Sequence, residues 1–177
     1  MEIELRELVL PRDRDRVIDF LSANAWPFHS AATLSAAAAA GRLDAGLYSP
    51  PGAAAWWIAV PHDAHAGIVS VDELDDGSPM LDLRLATIHR GRGIGRRALG
   101  LATSRVFESD PAVRRIEGTT RADNLGMQRV FTACGYVQEA RYREAWPVAG
   151  GDFTDSLGYA ILRREWEAAR GSGSSAP

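Results

Sequence analysis

Three glycines set two residues apart, Gly91, Gly93 and Gly95, close the run Leu83-Arg84-Leu85-Ala86-Thr87-Ile88-His89-Arg90-Gly91-Arg92-Gly93-Ile94-Gly95. An alternating segment ends there and a helical one begins. Amides at a helix start have no intrahelical partner and sit at the positive end of the helix dipole. Glycines let the backbone close tightly around a phosphate. Arg90, Arg92, Arg96 and Arg97 add cationic charge beside the turn. Together these groups could cradle a pyrophosphate. The glycine spacing is not G-x-G-x-x-G, and the turn has no lysine, so neither the dinucleotide fingerprint nor the P-loop is present. Local chemistry leaves two readings open: a phosphate site, or a helix that starts with a flexible turn and a solvated arginine face. Two carboxylates stand close to this turn in the expected sheet. Asp82 shares a strand face with Arg84, and Glu117 shares one with Thr119 and Arg121. Either could accept a proton, and either could be an ordinary solvated or arginine-paired group.

The elements that must position these groups follow from periodicity. Ile3 to Val9 alternates as a half-buried strand, and Val17, Ile18 and Leu21 recur at helical spacing between Arg12 and Ala23. Thr33 to Ala45 reads as a second helix, capped by Thr33 or Ser35 and stopped near Gly46. Strands are expected over Trp56–Val60, Gly67–Leu74 and the Leu81-Asp82-Leu83-Arg84-Leu85 alternation, with Asp75-Asp76-Gly77 as a hairpin turn. The helix after the glycine turn carries Ala98, Leu99, Ala102, Val106 and Phe107 on one face. Val113 to Arg121 follows as a strand, then a short helix from Asn124 to the left-handed C-cap expected at Gly135. Tyr136–Trp146 and Phe153–Trp166 make a final pair of strands. The order is β-α-α-β-β-β-α-β-α-β-β, an α/β (α+β) fold with a mixed central sheet of about seven strands and about four helices. Its late strand–helix–strand crossovers supply the parallel part. One domain over 1–167 and a disordered tail over 168–177, rich at its end in glycine, serine, alanine and proline, are predicted.

Arg90-Gly91-Arg92-Gly93-Ile94-Gly95 resembles the R/Q-x-x-G-x-G/A signature of the GNAT superfamily of acetyltransferases, and the element order resembles that family from first strand to last. Arg115-Ile116-Glu117, Asn124, Met127, Phe131 and Cys134-Gly135-Tyr136 are similar to its strand–Asn–helix–Gly-aromatic segment. The ending, with Tyr159, Ile161-Leu162-Arg163 and Trp166, looks most like the RimJ/RimL branch, which acetylates ribosomal-protein N-termini. The resemblance implies an acetyl-CoA-dependent N-acetyltransferase acting on an amine by direct attack. It implies that the loop Arg90 to Arg96 holds the coenzyme pyrophosphate, and that Leu83, Arg84 and Leu85 offer backbone groups to the pantetheine. A backbone N–H near Leu85 would stabilise the developing oxyanion. Asn124 would contact the coenzyme, though asparagine there is also among the best helix N-caps. Glu117, at the family's glutamate position, is the first candidate general base and Asp82 the second. Phe131 occupies the coenzyme-side position where many members carry a tyrosine acid, so that acid is missing.

Composition bounds the rest. The chain has 177 residues, 46% hydrophobic and 24% charged, with a formal charge of -3, which gives no general attraction to nucleic acid or an anionic membrane. Every positive side chain is arginine. No stretch approaches the roughly 18 apolar residues of a membrane span, and the charged N-terminus does not suit a signal peptide. The lone Cys134 excludes an internal disulfide, and the four histidines lack metal-ligand spacing, so a cytoplasmic protein without a metal is expected. The cluster Trp26-Pro27-Phe28-His29 sits where the family builds one wall of the acceptor site, but reads first as packing. A protein or peptide N-terminus is the leading acceptor. A polyamine or aminoglycoside, and a non-catalytic acyl-CoA-binding module, are the alternatives, and exposed strand edges near the last hairpin offer a surface for a homodimer.

Overall fold

In the computed structural model, which describes residues 2–49, 51–148 and 150–172, the chain begins with β1 (Glu4–Glu7), α1 (Arg14–Ala23) and α2 (Ala36–Asp44). Then come β2 (Ala54–Val60), β3 (Asp63–Asp72), β4 (Met80–Leu85) and α3 (Ile94–Ser109). The chain continues through β5 (Arg115–Arg121), α4 (Leu125–Ala133), β6 (Val137–Pro147), β7 (Phe153–Leu162) and α5 (Arg163–Ser172). Short 3-10 turns occupy Leu74–Asp76 and Thr87–His89. The strands form one mixed sheet in the order β1-β2-β3-β4-β5-β7-β6. Every neighbouring pair is antiparallel except β4 with β5. Because β7 inserts between β5 and β6, the parallel part is the single β4–α3–β5 crossover.

Local chemistry explains most boundaries. Val17, Phe20 and Leu21 recur at helical spacing and are the buried residues of α1. Ser35, not Thr33, caps α2 by accepting from the Ala38 amide at 3.1 Å, and Gly46 leaves that helix at φ +97°. Gly135 closes α4 at φ +85°, a conformation that glycine enters without a Cβ clash. Two apolar layers flank the sheet. On one face α3 and α4 bury Ile94, Leu99, Phe107 and Phe131 against Val69, Leu81 and Ile116. On the other, α1, α2 and the connection between them bury Leu21, Leu43 and Trp26 against Trp57 and Ile68. Each such side chain taken fully out of water contributes about 1.5–3 kcal/mol.

The C-terminal end differs from the sequence expectation. The strand stops at Leu162, and Arg163–Ser172 is a fifth helix covering the start of the expected tail, while 173–177 lie outside the described residues. Arg163 explains the turn: its guanidinium donates to the carbonyls of Val113 (2.8 Å), Phe107 (2.9 Å) and Asp110 (2.6 Å). Trp166 then reaches Ser104 through its indole N–H at 3.1 Å and packs 5.2 Å from Phe107.

Candidate active site

The parallel pair that positions the site barely touches. β4 and β5 share one register point, Met80 with Glu117, supported by the Glu117 amide donating to the Pro79 carbonyl at 2.8 Å. Beyond it the strands part, so the β5-facing edge of β4 has no ladder partner toward Leu85. A cleft of about 410 Å³ opens in this splay, walled by β4, the glycine turn, the start of α4 and the α1–α2 connection. A smaller chamber of about 150 Å³ adjoins it and shares Phe28, His29, Leu83, Asn124 and Met127.

At the glycine turn, Gly91 (φ +71°) and Gly93 (φ +76°) adopt left-handed conformations, and a Cβ at either would enter open space. Gly93 is the N-cap of α3, and no side chain caps that helix. The first amides of a sixteen-residue helix are therefore left for an anion. Arg92, Arg96 and Arg97 form no ion pair among the described residues, so their charge faces solvent beside those amides. Behind the turn, buried His89 meets Asp63 at 2.7 Å through its Nε2. Burial would raise the Asp63 carboxyl, but this hydrogen bond and the His65 amide bring it below its ordinary range. Uncapped amides, glycine-lined space and unpaired cations are the features a pyrophosphate needs.

The chamber end is built from side chains. Arg84 is buried, and its Nε donates to Asp82 at 2.9 Å. Burial alone would raise the Asp82 carboxyl; the Arg84 guanidinium, His29 and the Leu83 amide outweigh it and hold the group below the usual carboxylate range. His29 sits in the chamber edge-on to Trp26, with ring centroids 6.0 Å apart. Burial pushes its imidazole down to about 4, so it is neutral at neutral pH. Phe28, Phe131 and Trp146 supply aromatic walls, and the Trp146 indole N–H is buried there without a partner among the described residues.

Most residues singled out in the sequence meet here. Leu83, Arg84, Leu85, Arg90, Gly91, Gly93, Ile94, Gly95, Arg96 and Asn124 line the cleft, and Asp82 and Phe131 line the chamber. Asn124 caps α4: its Oδ1 accepts from the Met127 amide at 3.1 Å and its Nδ2 donates to Thr120 at 3.0 Å. The exposed Arg92 side chain lies outside the cleft lining. Arg90 lines the cleft, but its guanidinium is committed to protein, donating to the Leu85 carbonyl at 3.0 Å and to the Ala25 carbonyl. Phe131 stacks on Tyr159 at 4.8 Å, and a Cβ at Gly118 would fall 2.5 Å from its ring. That ring packs the core above the chamber and lies outside the coenzyme-loop end of the cleft. Glu117 lines neither cavity. It sits at the closed end of the splay, ion-paired with Arg115 at 2.8 Å. Trp146 carried no signal in the sequence; an irregular register between Tyr142 and Trp146 brings it to the chamber.

Among the described residues, no group of three or more His, Cys, Asp or Glu side chains could hold a metal, and no helix is long and apolar enough to cross a membrane. No curated protein matches the chain. Solved structures share the fold. A candidate acetyltransferase from T. thermophilus aligns at 24% identity over 99% of this chain and 95% of its own, with a TM-score of 0.74. The spermidine N-acetyltransferase from Vibrio cholerae, in complex with CoA and spermine, aligns at 16% identity over 93% and 98%, with a TM-score of 0.75. The acetyltransferase (GNAT) domain family matches residues 2–137, the span holding the splay, the uncapped glycine turn and the Asn124 cap. The chain belongs to the GNAT acetyltransferase family and is an acyltransferase.

Proposed function

We propose that this protein is an N-acetyltransferase that moves an acetyl group from acetyl-CoA to a primary amine by direct attack in a ternary complex. The leading acceptor is a protein or peptide N-terminus, as in the RimJ/RimL branch. The observation that carries this reading is the β4/β5 splay, with an anion cradle at one end and a carboxylate-bearing chamber at the other. The amides of Ile94, Gly95 and Arg96, with the Arg92 and Arg96 side chains, would hold the pyrophosphate. The unpaired edge of β4 from Leu83 to Leu85 would receive the pantetheine arm. Bound there, the coenzyme supplies the acetyl thioester.

The chain's own groups handle the amine. Asp82, ionised and fixed by Arg84, draws the cationic acceptor to the chamber. The acceptor's free-amine form, having lost one proton to water, attacks. Asp82 accepts the second proton as the C–N bond forms and that nitrogen becomes far more acidic than a free ammonium. Neutral His29 can relay that proton across the same chamber. Asp82 therefore replaces Glu117 as the first candidate base. Phe131 has no proton to give, so the leaving sulfur departs as the thiolate and takes its proton from solvent. A small polyamine acceptor is the second reading. Aromatic walls around a carboxylate suit a cation, and the V. cholerae structure holds spermine. A cytoplasmic homodimer, paired through the long exposed β6, belongs to the same proposal.

Calorimetric titration with acetyl-CoA tests this reading, with an Arg92→Ala/Arg96→Ala variant alongside. Binding that weakens about tenfold or more in the variant supports the cradle, given the usual strength of charge-assisted phosphate contacts. Free-thiol release with an N-terminally free tetrapeptide or with spermidine then separates the two acceptors. Absence of binding to the wild-type protein at low salt overturns the assignment. Binding without turnover of either amine supports a non-catalytic acyl-CoA-binding module instead.

A further inference from the structure

The connection between α1 and α2 is fastened at two points that lie on opposite sides of the splay. From the β4 side, the Arg90 guanidinium bridges the Leu85 carbonyl at 3.0 Å and the Ala25 carbonyl. The Thr87 amide adds a bond to Asn24 Oδ1 at 2.9 Å. From the β5 side, Arg121 donates to the Pro27 carbonyl at 2.9 Å and lies 5.6 Å from the Phe28 ring centroid. Arg121 is itself oriented by a two-pronged ion pair with Asp123 at 2.9 and 2.6 Å. Trp26 is buried between these anchors, with the Arg84 and Arg90 guanidinium carbons 5.7 and 5.4 Å from its ring. Leu85 and Arg121 are the C-terminal residues of β4 and β5, the ends that have parted. The segment Asn24–His29 therefore crosses the open end of the splay as a strap. Its last residues, Phe28 and His29, line both the cleft and the chamber.

We propose that Arg90 and Arg121 are positioning residues that hold this strap, and that Arg90 transmits occupancy of the glycine turn to the acceptor wall. The inference rests on the reading of the chamber as the acceptor site. Arg90 begins the glycine turn, so any ligand that orders Gly91 to Gly95 also orders the donor that grips Ala25. Arg121 has no part in the turn. Loss of Arg121 therefore loosens the acceptor wall alone, whereas loss of Arg90 also disconnects it from the coenzyme end. A charged donor to a backbone carbonyl is among the stronger hydrogen bonds, and its loss frees the segment to open locally.

Hydrogen–deuterium exchange of the peptide spanning residues 24–29, read by mass spectrometry on the full chain, tests this directly. Arg121→Gln is expected to speed exchange in that peptide roughly tenfold, the effect of removing one charge-assisted bond. Arg121→Lys, which keeps a cationic donor, is expected to restore most of the protection. Acetyl-CoA is expected to slow exchange of the same peptide in the wild type and in Arg121→Gln. In Arg90→Gln the slowing is expected to be lost, even at acetyl-CoA concentrations that calorimetry shows to saturate that variant. In turnover with spermidine or the tetrapeptide, Arg121→Gln is expected to raise KM for the amine by about tenfold with acetyl-CoA affinity unchanged. Exchange in Arg121→Gln within twofold of the wild type overturns the strap. Equal slowing by acetyl-CoA in Arg90→Gln and wild type overturns the link. If the wild type does not bind acetyl-CoA, the functional reading fails, and the ligand-free comparison of Arg121→Gln with Arg121→Lys still decides the strap.

Discussion

At the α3 end of the cleft, the groups offered to a ligand are backbone amides and guanidinium groups with no carboxylate partner among the described residues. At the β4 end they are side chains already bonded to one another: Asp82 to Arg84, with His29 and Trp26 packed alongside. The first arrangement depends on backbone conformation, which two left-handed glycines secure, and it fits any pyrophosphate of the right shape. The second depends on which side chains happen to meet, so it can differ between chains that share the fold. On the proposed function, the donor end is set by backbone conformation and the acceptor end by side chains, at opposite ends of one splay.

Substitutions can break that comparison. Asp82→Asn should lower kcat/KM for the amine about a hundredfold or more, the usual contribution of a positioned proton acceptor. Its acetyl-CoA affinity by calorimetry should stay near the wild-type value, whereas Glu117→Gln should leave both constants near wild type. A large loss in Glu117→Gln with little change in Asp82→Asn would reverse the assignment. Gly93→Val should weaken acetyl-CoA about tenfold, because an L residue at φ +76° costs roughly 1–2 kcal/mol and its side chain would occupy the cradle. Unchanged binding in that variant would detach the turn from the coenzyme.

The smallest expected effect is on stability against acid. His29 has a folded pKa of about 4, below its unfolded value, so the unfolded chain binds more protons between roughly pH 6.5 and 4. Stability should therefore fall as pH drops through that window, and chemical denaturation of His29→Gln should show a shallower fall. Asp82 has the same sign in a more acidic range: its depressed pKa favours the fold above the unfolded value and loses that contribution as pH falls through the folded one. A denaturation profile for His29→Gln with the wild-type slope would place the acid sensitivity elsewhere.

What could be read from the sequence divides along the same line. The glycine turn, the Asn124 cap and the Gly135 C-cap depend on a few adjacent residues, and each stands where spacing predicted it. Alternation also assigned Glu117 its strand face. It could not locate Glu117 along the splay, because that depends on the register with Met80 on a strand 37 residues earlier. The fifth helix depends on three carbonyls that meet Arg163 only once α3 and β5 are in place. Arg90 looked free beside the turn because its partners, Ala25 and Leu85, are brought to it by the fold.

The single shared rung between β4 and β5 has a mechanical consequence. The sheet consists of two plates, β1 to β4 and β5-β7-β6, riveted near Met80 and Glu117. Widening the gap at Leu85 and Arg121 means rotating one plate against the other about that rivet, with each plate's own ladder intact. The softest motion of the molecule should thus be a scissoring of the sheet, with its largest amplitude where the proposed function brings the acetyl donor and the amine together.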